Sequence, residues 1–381
     1  MSNSRQLILS ATISGFGSHP GAPDTYAASL TDLEHYRRLV QTAERGLLDF
    51  VLLDDARAVA LDHPAGRLDG LSVFAWLAPQ TSRIGLAVSK PTTYTEPFTV
   101  SRELATLDFV SGGRAAWNVT TNATQTEAQN FGEQQARPAA ERRAIAEEYI
   151  TVSRKLWDSW EDDAVITDRA GGLYLDPQKL HHIDHVGEYF KIRGPQITYR
   201  PPQGNVVVVA IDGGDKGVPL DATLADVLVL HHPTLDEAQQ AYRVQGQLAS
   251  AAGRVVRVLQ AVLPILGETE AQARARAAAL DAAAPQAIQP HALRLVGTPQ
   301  TVAETLADWF GSGAADGFHL LPATLPDGLS EIASLLVPEL QKRGLFRTAY
   351  AGTTLREHLG LARPDSQYAG VPAAAFEIKF T

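Results

Sequence analysis

Cysteine is absent from the 381 residues. That excludes disulfides, thiolate nucleophiles, and zinc or iron–sulfur sites built on thiolates, while leaving the compartment open. Long runs of lysine or arginine are absent too. Acidic residues outnumber basic ones, 43 to 33, for a formal net charge of −10. Neither nucleic acid nor an anionic membrane is therefore expected as the main partner, because both are held through basic patches. No apolar run reaches the ~20 residues that span a bilayer. The N-terminus has no basic start followed by an uninterrupted apolar stretch; Arg5–Ile13 is a short mixed segment that reads as a strand. A soluble, cytoplasmic protein is the expectation.

What is present has an ordinary globular balance, 45% hydrophobic and 20% charged. Single α/β barrels often reach this length, so residues 1–381 are read as one domain. Eight short apolar runs are strand candidates: Leu7–Ala11, Phe50–Leu53, Ile84–Val88, Ala115–Val119, Val206–Ala210, Val227–Leu230, Val258–Pro264 and Gly317–Leu321. Most lack a period of two, as strands buried on both faces do.

Helical segments lie between them. Thr31–Arg45 opens with a Thr31/Glu34 capping box, keeps Leu33, Tyr36, Leu39, Val40 and Ala43 at helical spacing, and stops at Gly46. Val100–Phe109, Ala139–Trp157, Leu235–Ala251, Glu270–Asp281, Thr301–Phe310 and Leu329–Arg343 follow the same logic. Eight strands, each followed by a helical stretch, predict a (β/α)8 TIM barrel. An open doubly wound sheet is the alternative, disfavoured because no glycine-rich fingerprint follows the first strand. The polar segment 158–202 between the fourth and fifth strands reads as an insertion, with Glu188–Arg193 a strand inside it. The glycine- and proline-rich tail 346–381 is expected to wrap the surface.

Barrel active sites gather at the C-terminal ends of the strands. That places His19, Asp54, Asp55, Ser89, Lys90, Asn118, Thr120, Thr121, Asn122, Asp212, Gly213, Gly214, His231 and His232 around the mouth. Asp54 and Asp55 serve equally as helix caps, and Ser89 and Thr121 as local backbone partners. Gly213-Gly214 is either a tight turn or a nest of N–H groups for a phosphate. Asn118, an amide inside an apolar strand, needs partners and points to function. Only one of His231 and His232 can face the mouth, since neighbours on a strand point oppositely. His181-His182-Ile183-Asp184-His185 carries metal-ligand types. It lies away from the strand ends without i, i+4 spacing, which favours loop histidines with local partners.

The run Ser111-Gly112-Gly113-Arg114-Ala115-Ala116-Trp117-Asn118-Val119 resembles the SGGRAGWN motif of the luciferase-like flavin-dependent monooxygenase superfamily. The similarity lies with the branch containing nitrilotriacetate and dibenzothiophene-sulfone monooxygenases. Thr92–Pro97 resembles its TTYNEP, Trp157–Ala164 its WDSWEDDA, and His182–Pro195 its IDH…RGP run. Gly344–Arg347 and Gly352–Arg356 resemble its C-terminal signature. The resemblance covers nearly the whole chain. It implies a (β/α)8 barrel, usually a homodimer, that uses reduced FMN and O2 to oxygenate a small organic substrate through a flavin C4a-(hydro)peroxide. A separate flavin reductase supplies the reduced FMN.

Carried over by position, Asp55, Ser89 and Asn118 match residues near the flavin ring, with Thr121 beside them. His19-Pro20-Gly21 matches a substrate-side motif. Where relatives place a His and a Tyr on the helix after the fourth strand, this chain has Ala139 and Arg143. A phosphate-binding serine after the fifth strand is replaced by Gly214, between Asp212 and Asp215. Arg143 would then offer a charge-assisted phosphate partner, with Gly213 and Gly214 supplying N–H groups. The chain after Asp281 is shorter than in relatives, which would remove part of a lid. The implied function is an FMNH2-dependent monooxygenase. The alternative is a paralogue with a degenerate flavin site that acts as a binding or interaction protein.

Overall fold

The computed structural model describes residues 5–22, 30–55, 58, 67–121, 124–168, 170, 172–212, 218–285 and 292–371. Eight parallel strands close a barrel: β1 (Ile8–Thr12), β2 (Phe50–Leu53), β3 (Gly85–Pro91), β4 (Ala115–Thr120), β5 (Val207–Ile211), β6 (Val227–Leu230), β7 (Arg257–Leu266) and β8 (Gly317–Leu320). Each pairs with its sequence neighbours, and β8 returns to β1 through Ile8↔Gly317 to Ala11↔Leu320. All eight expected strands are present, shifted by a few residues at most. Their apolar character follows from burial on both faces: Ile8, Phe50, Leu52, Ala87, Ala116, Val207, Val209, Val227, Val229, Leu259 and Ala261 fill the inside, while alternate residues meet the helices.

The outer layer contains α1 (Leu33–Arg45), α2 (Gly70–Leu77), α3 (Pro97–Ser111), α4 (Gln125–Asn130), α5 (Ala139–Asp158), α6 (Leu235–Ala251), α7 (Glu270–Ala283) and α8 (Pro299–Gly311). Two expectations about α1 are corrected. Its N-cap is Asp32, whose carboxylate accepts from the Glu34 N–H, since a charged cap gains from the helix dipole as well as the hydrogen bond. After it, Gly46 keeps φ −74° and Leu47 takes the left-handed conformation, φ 59°. The last helical stretch, Asp327–Lys342, contains a π-turn at Ile332–Leu336 just ahead of Pro338, whose missing N–H widens the turn.

The strict strand–helix alternation fails twice. Between β5 and β6 the described residues contain no helix. Asp221 instead accepts from the Thr223 N–H and hydroxyl, a local turn that competes with helix, and Pro219 precedes it. Between β7 and β8 stands an unexpected ninth strand, Leu293–Gly297, paired with the upper half of β7 from Val262 to Leu266. It takes over the edge that β8 leaves at Leu320.

The insertion folds into two short antiparallel ribbons, 165–168 with 173–175 and 185–186 with 191–192. It is anchored by Arg200, which donates to Asp158 at 3.1 and 3.0 Å, both side chains almost fully buried. The tail does more than wrap the surface. Its short helical turn Leu355–His358 puts Leu355, with Leu359 and Leu361, against the interior cluster at the lower end of the barrel. Gly85 lacks a Cβ where one would stand 2.7 Å from the Leu355 side chain.

Candidate active site

The inward positions near the upper ends of the strands turn from apolar to polar. Ser89 on β3 and Asn118 on β4 are register partners. Asn118 Nδ2 donates to Ser89 Oγ at 2.8 Å, and both residues are buried. That bond fixes the amide so that Oδ1 is left over, buried without a hydrogen-bond partner. An unmet acceptor costs about 1–3 kcal/mol, so its persistence at the mouth marks a place prepared for a donor. Asp55 follows β2 on the rim, half-buried, with its N–H on Asp54 Oδ1. Trp117, one residue before Asn118, points outward; its indole donates to the Lys90 carbonyl and its ring packs against Tyr149 and Trp157 of α5, which holds β4 rigid.

A second polar group lies on the opposite side of the barrel, and sequence reasoning missed it. His319 on β8 is fully buried, with Nδ1 2.8 Å from Ser10 Oγ and Nε2 2.8 Å from Thr12 Oγ1. Burial pushes its pKa down to about 4, so the ring is neutral and one nitrogen donates while the other accepts. The available signal was a histidine within Gly-Phe-His-Leu-Leu, with Ser10 and Thr12 two residues apart on the adjacent strand.

Other expected residues are placed as follows. Thr121 spends its hydroxyl on the loop after β5, accepting from the Val218 N–H at 2.7 Å and donating to the Val218 carbonyl at 3.1 Å. Arg143 donates to the Pro219 carbonyl at 2.6 Å and pairs with Asp221 at 2.8 Å and Glu147 at 2.7 Å. Arg142, missed by sequence reasoning, reaches the Thr121 carbonyl at 2.5 Å. Gly213 and Gly214 lie outside the described residues, as does Asn122. Lys90 points outward to Asp69 and Glu103.

His19 is buried rather than open to the mouth. Nδ1 accepts from the Gly21 N–H at 3.1 Å, so Nε2 carries the proton and faces Asp281 at 3.3 Å. Asp281 in turn takes Arg294 in a two-bond pair. The first loop is thus tied to the end of α7, against which Gly21 packs too closely for any Cβ. His232 lines a groove of about 480 Å3 between α6 and the outer wall of β5 and β6; alternation then turns His231 inward. The three insertion histidines go to three separate partners: His181 to Glu161, His182 to the Gly194 carbonyl, and His185 to Glu148.

A mouth with an unmet buried acceptor, hydroxyls and a neutral histidine suits holding a planar heteroaromatic ring. Comparisons with known proteins agree. The family model for luciferase-like monooxygenases matches residues 12–316. Nitrilotriacetate monooxygenase component A of Aminobacter aminovorans is 34% identical, across 97% of this chain and 99% of its own length. N-acetyl-S-(2-succino)cysteine monooxygenase of Bacillus subtilis (strain 168) is 32% identical, across 97% and 99%. Among solved structures, DmoA from Hyphomicrobium sulfonivorans has a TM-score of 0.86 at 25% identity and covers 99% of both chains.

Proposed function

The chain belongs to the luciferase-like monooxygenase family and is a flavin-dependent monooxygenase; from that premise we propose that it uses reduced FMN and O2 to oxygenate a small organic substrate. The single observation that carries the ring-binding part is the buried, unpartnered Oδ1 of Asn118, held upright by Ser89. A flavin ring presents an N–H edge suited to that acceptor, so the residues fit the group. Reduced flavin, when bound, supplies the electrons that activate O2. The chain's own contribution is to bind and orient. Asn118 accepts from the ring and Ser89 fixes the amide's rotamer. Asp55 borders the ring at the rim. His319, neutral and braced by Ser10 and Thr12, keeps the floor uncharged and fully hydrogen-bonded. The loop carrying His19, the insertion 158–202 and the segment after Asp281 border the substrate side, where loops set specificity.

A separate flavin reductase completes the proposal, as does a cytoplasmic homodimer. The relative named as component A of its enzyme supports a divided system. The test is an anaerobic titration of the purified protein with FMN and with chemically reduced FMN, followed by O2 uptake with a reductase present. Micromolar or tighter binding of reduced FMN is expected. No binding of either form would sink the proposal. Binding without O2 uptake above that of free reduced flavin, across a panel of small organic substrates, would favour a paralogue that no longer turns over.

A further inference from the structure

At the lower end of the barrel, away from the mouth, a cavity of about 450 Å3 opens between the segment entering β1, the start of β7 and the tail. Its size is within the range of small-molecule sites. Ala349, Ala351 and Gly352 line it without filling it, and Arg5, Arg257 and Arg347 bring three guanidinium groups to its wall.

Two carboxylates share that wall, and both are committed to other partners. Asp316 accepts from Arg5 at 2.7 Å, from the Tyr242 hydroxyl at 3.0 Å and from the Val258 N–H at 2.9 Å. Glu357 accepts from the Thr353 and Thr354 N–H groups at 2.7 and 2.9 Å, bonds that hold its pKa down to about 2. Arg347 pairs with the buried Asp49. Arg257 has no ion pair among the described residues. It donates Nε to the Leu359 carbonyl at 2.7 Å and Nη2 to the Gly360 carbonyl at 2.8 Å. Only glycine allows that approach, since a Cβ at position 360 would stand 3.0 Å from Nη2 on a backbone of φ 60°. His358, also on the wall, adds no charge, because burial lowers its pKa to about 4.

Guanidinium N–H groups are therefore left over. Nη1 of Arg257 and both Nε and Nη1 of Arg347 have no partner among the described residues. Two carbonyls hold Arg257 in place without cancelling its charge, and a concave wall concentrates the resulting field. Two guanidinium groups fixed from behind and lining one space are prepared for the oxygens of an anion.

We propose that this lower cavity is a second ligand site, which takes a small molecule carrying two or more anionic oxygens and holds it between Arg257 and Arg347. The oxygens belong to a phosphate or to a dicarboxylate. An occupant joins the start of β7 to the tail, beside the closure made by Leu355, Leu359 and Leu361. Because the site exists only in the folded chain, occupancy raises stability with anion concentration. The proposal is independent of the flavin reading.

The experiment titrates the full chain calorimetrically with sodium phosphate and with sodium succinate, at constant ionic strength set by sodium chloride. Urea-unfolding midpoints are measured over the same concentrations. Wild type should bind at least one of the two saturably, and its midpoint should rise along the same curve; whichever binds tighter identifies the source of the oxygens. In Arg257→Gln one amide remains for the tail carbonyls but the charge is gone. Affinity should weaken by roughly 10- to 100-fold, the range of a lost charge-assisted bond, and Arg257→Lys should keep part of it. Ala351→Glu guards against a folding defect in R257Q. It removes no hydrogen bond from this exposed position and sets a carboxylate beside the arginines, so it should unfold like wild type in chloride and lose anion binding.

Absence of saturable binding of either anion to wild type would overturn the proposal. So would affinities in R257Q and A351E equal to that of wild type, which would place the anion elsewhere on the molecule.

Discussion

In the proposed site, Asn118 and Ser89 set ligand binding against stability. The amide satisfies Ser89 and leaves its own oxygen unmet in a buried position. Replacing both members of such a pair by apolar groups of similar size removes the unmet acceptor together with its support, which is close to neutral for folding. The double variant Ser89→Ala/Asn118→Leu should therefore lie within about 1 kcal/mol of wild type in urea unfolding without flavin. Its affinity for reduced FMN should fall at least tenfold. A stability loss well above that range would mean that the pair serves the fold. Asn118 was legible from sequence because an amide in an apolar strand is anomalous whatever surrounds it. The different settings of Arg142 and Arg143 were not. They are adjacent, and on a helix successive residues diverge by about 100°, so a residue-by-residue comparison settles on the neighbourhood without settling which guanidinium is ion-paired among the described residues. Only the placement of Asp221 and Glu147 decides that. His19 was legible as a polar residue of the first loop, but its burial against Asp281 depends on a partner 262 positions away.

Among the elements, the barrel strands could be read locally because burial on both faces leaves a signature within four or five residues. Lower closure of the barrel could not. Leu355, Leu359 and Leu361 stand in a tail rich in glycine and proline, and nothing nearby in sequence shows that they meet Ile8 and Phe50. The ninth strand was missed for a related reason: Leu293–Gly297 is only partly buried, and its pairing depends on β7 outlasting β8 by half its length. The tail's role is testable. Leu355 is fully buried, so Leu355→Ala leaves a cavity that the rigid strand ends cannot close, at a cost of about 2–5 kcal/mol. Flavin affinity, which the proposed site sets at the opposite end of the barrel, should be unchanged in the variant that remains folded. A destabilisation under 1 kcal/mol in chemical unfolding would show that the tail lies on the barrel without closing it. The Arg200–Asp158 pair offers a parallel case for the insertion. Asp158→Ala removes two of the guanidinium's bonds while Asp162 and the Pro364 carbonyl keep it paired, and in urea unfolding should cost about 1–3 kcal/mol.

At the scale of the whole molecule, buried titratable groups of opposite behaviour share one pH window. Asp49, just before β2, and Asp108, in the last turn of α3, have pKa values raised by burial to about 6. Each accepts a strand-opening N–H, from Leu9 and Ala115 respectively. Their native forms take up protons more readily than the unfolded chain, so their stabilisation is fullest below pH 3.8 and is lost as pH rises through about 6. His319 runs the other way. Its pKa falls from 6.5 to about 4; the unfolded chain therefore binds a proton that the native state refuses, and stability present above pH 6.5 is lost as pH falls towards 4. The opposing slopes flatten the profile of the wild type. His319→Gln, whose amide can still meet Ser10 and Thr12, removes one slope and leaves the other two. Measured by urea unfolding, the variant's deficit at pH 7 should shrink by about 2–3 kcal/mol at pH 4.5, the integrated value of a shift of this size. A deficit equal at both pH values would mean that His319 is not held neutral in the native barrel. On the proposal that this histidine forms the floor beneath the flavin ring, the acid limb of flavin binding should steepen in wild type relative to H319Q, as protonation there buries a cation and obliges both hydroxyls to accept.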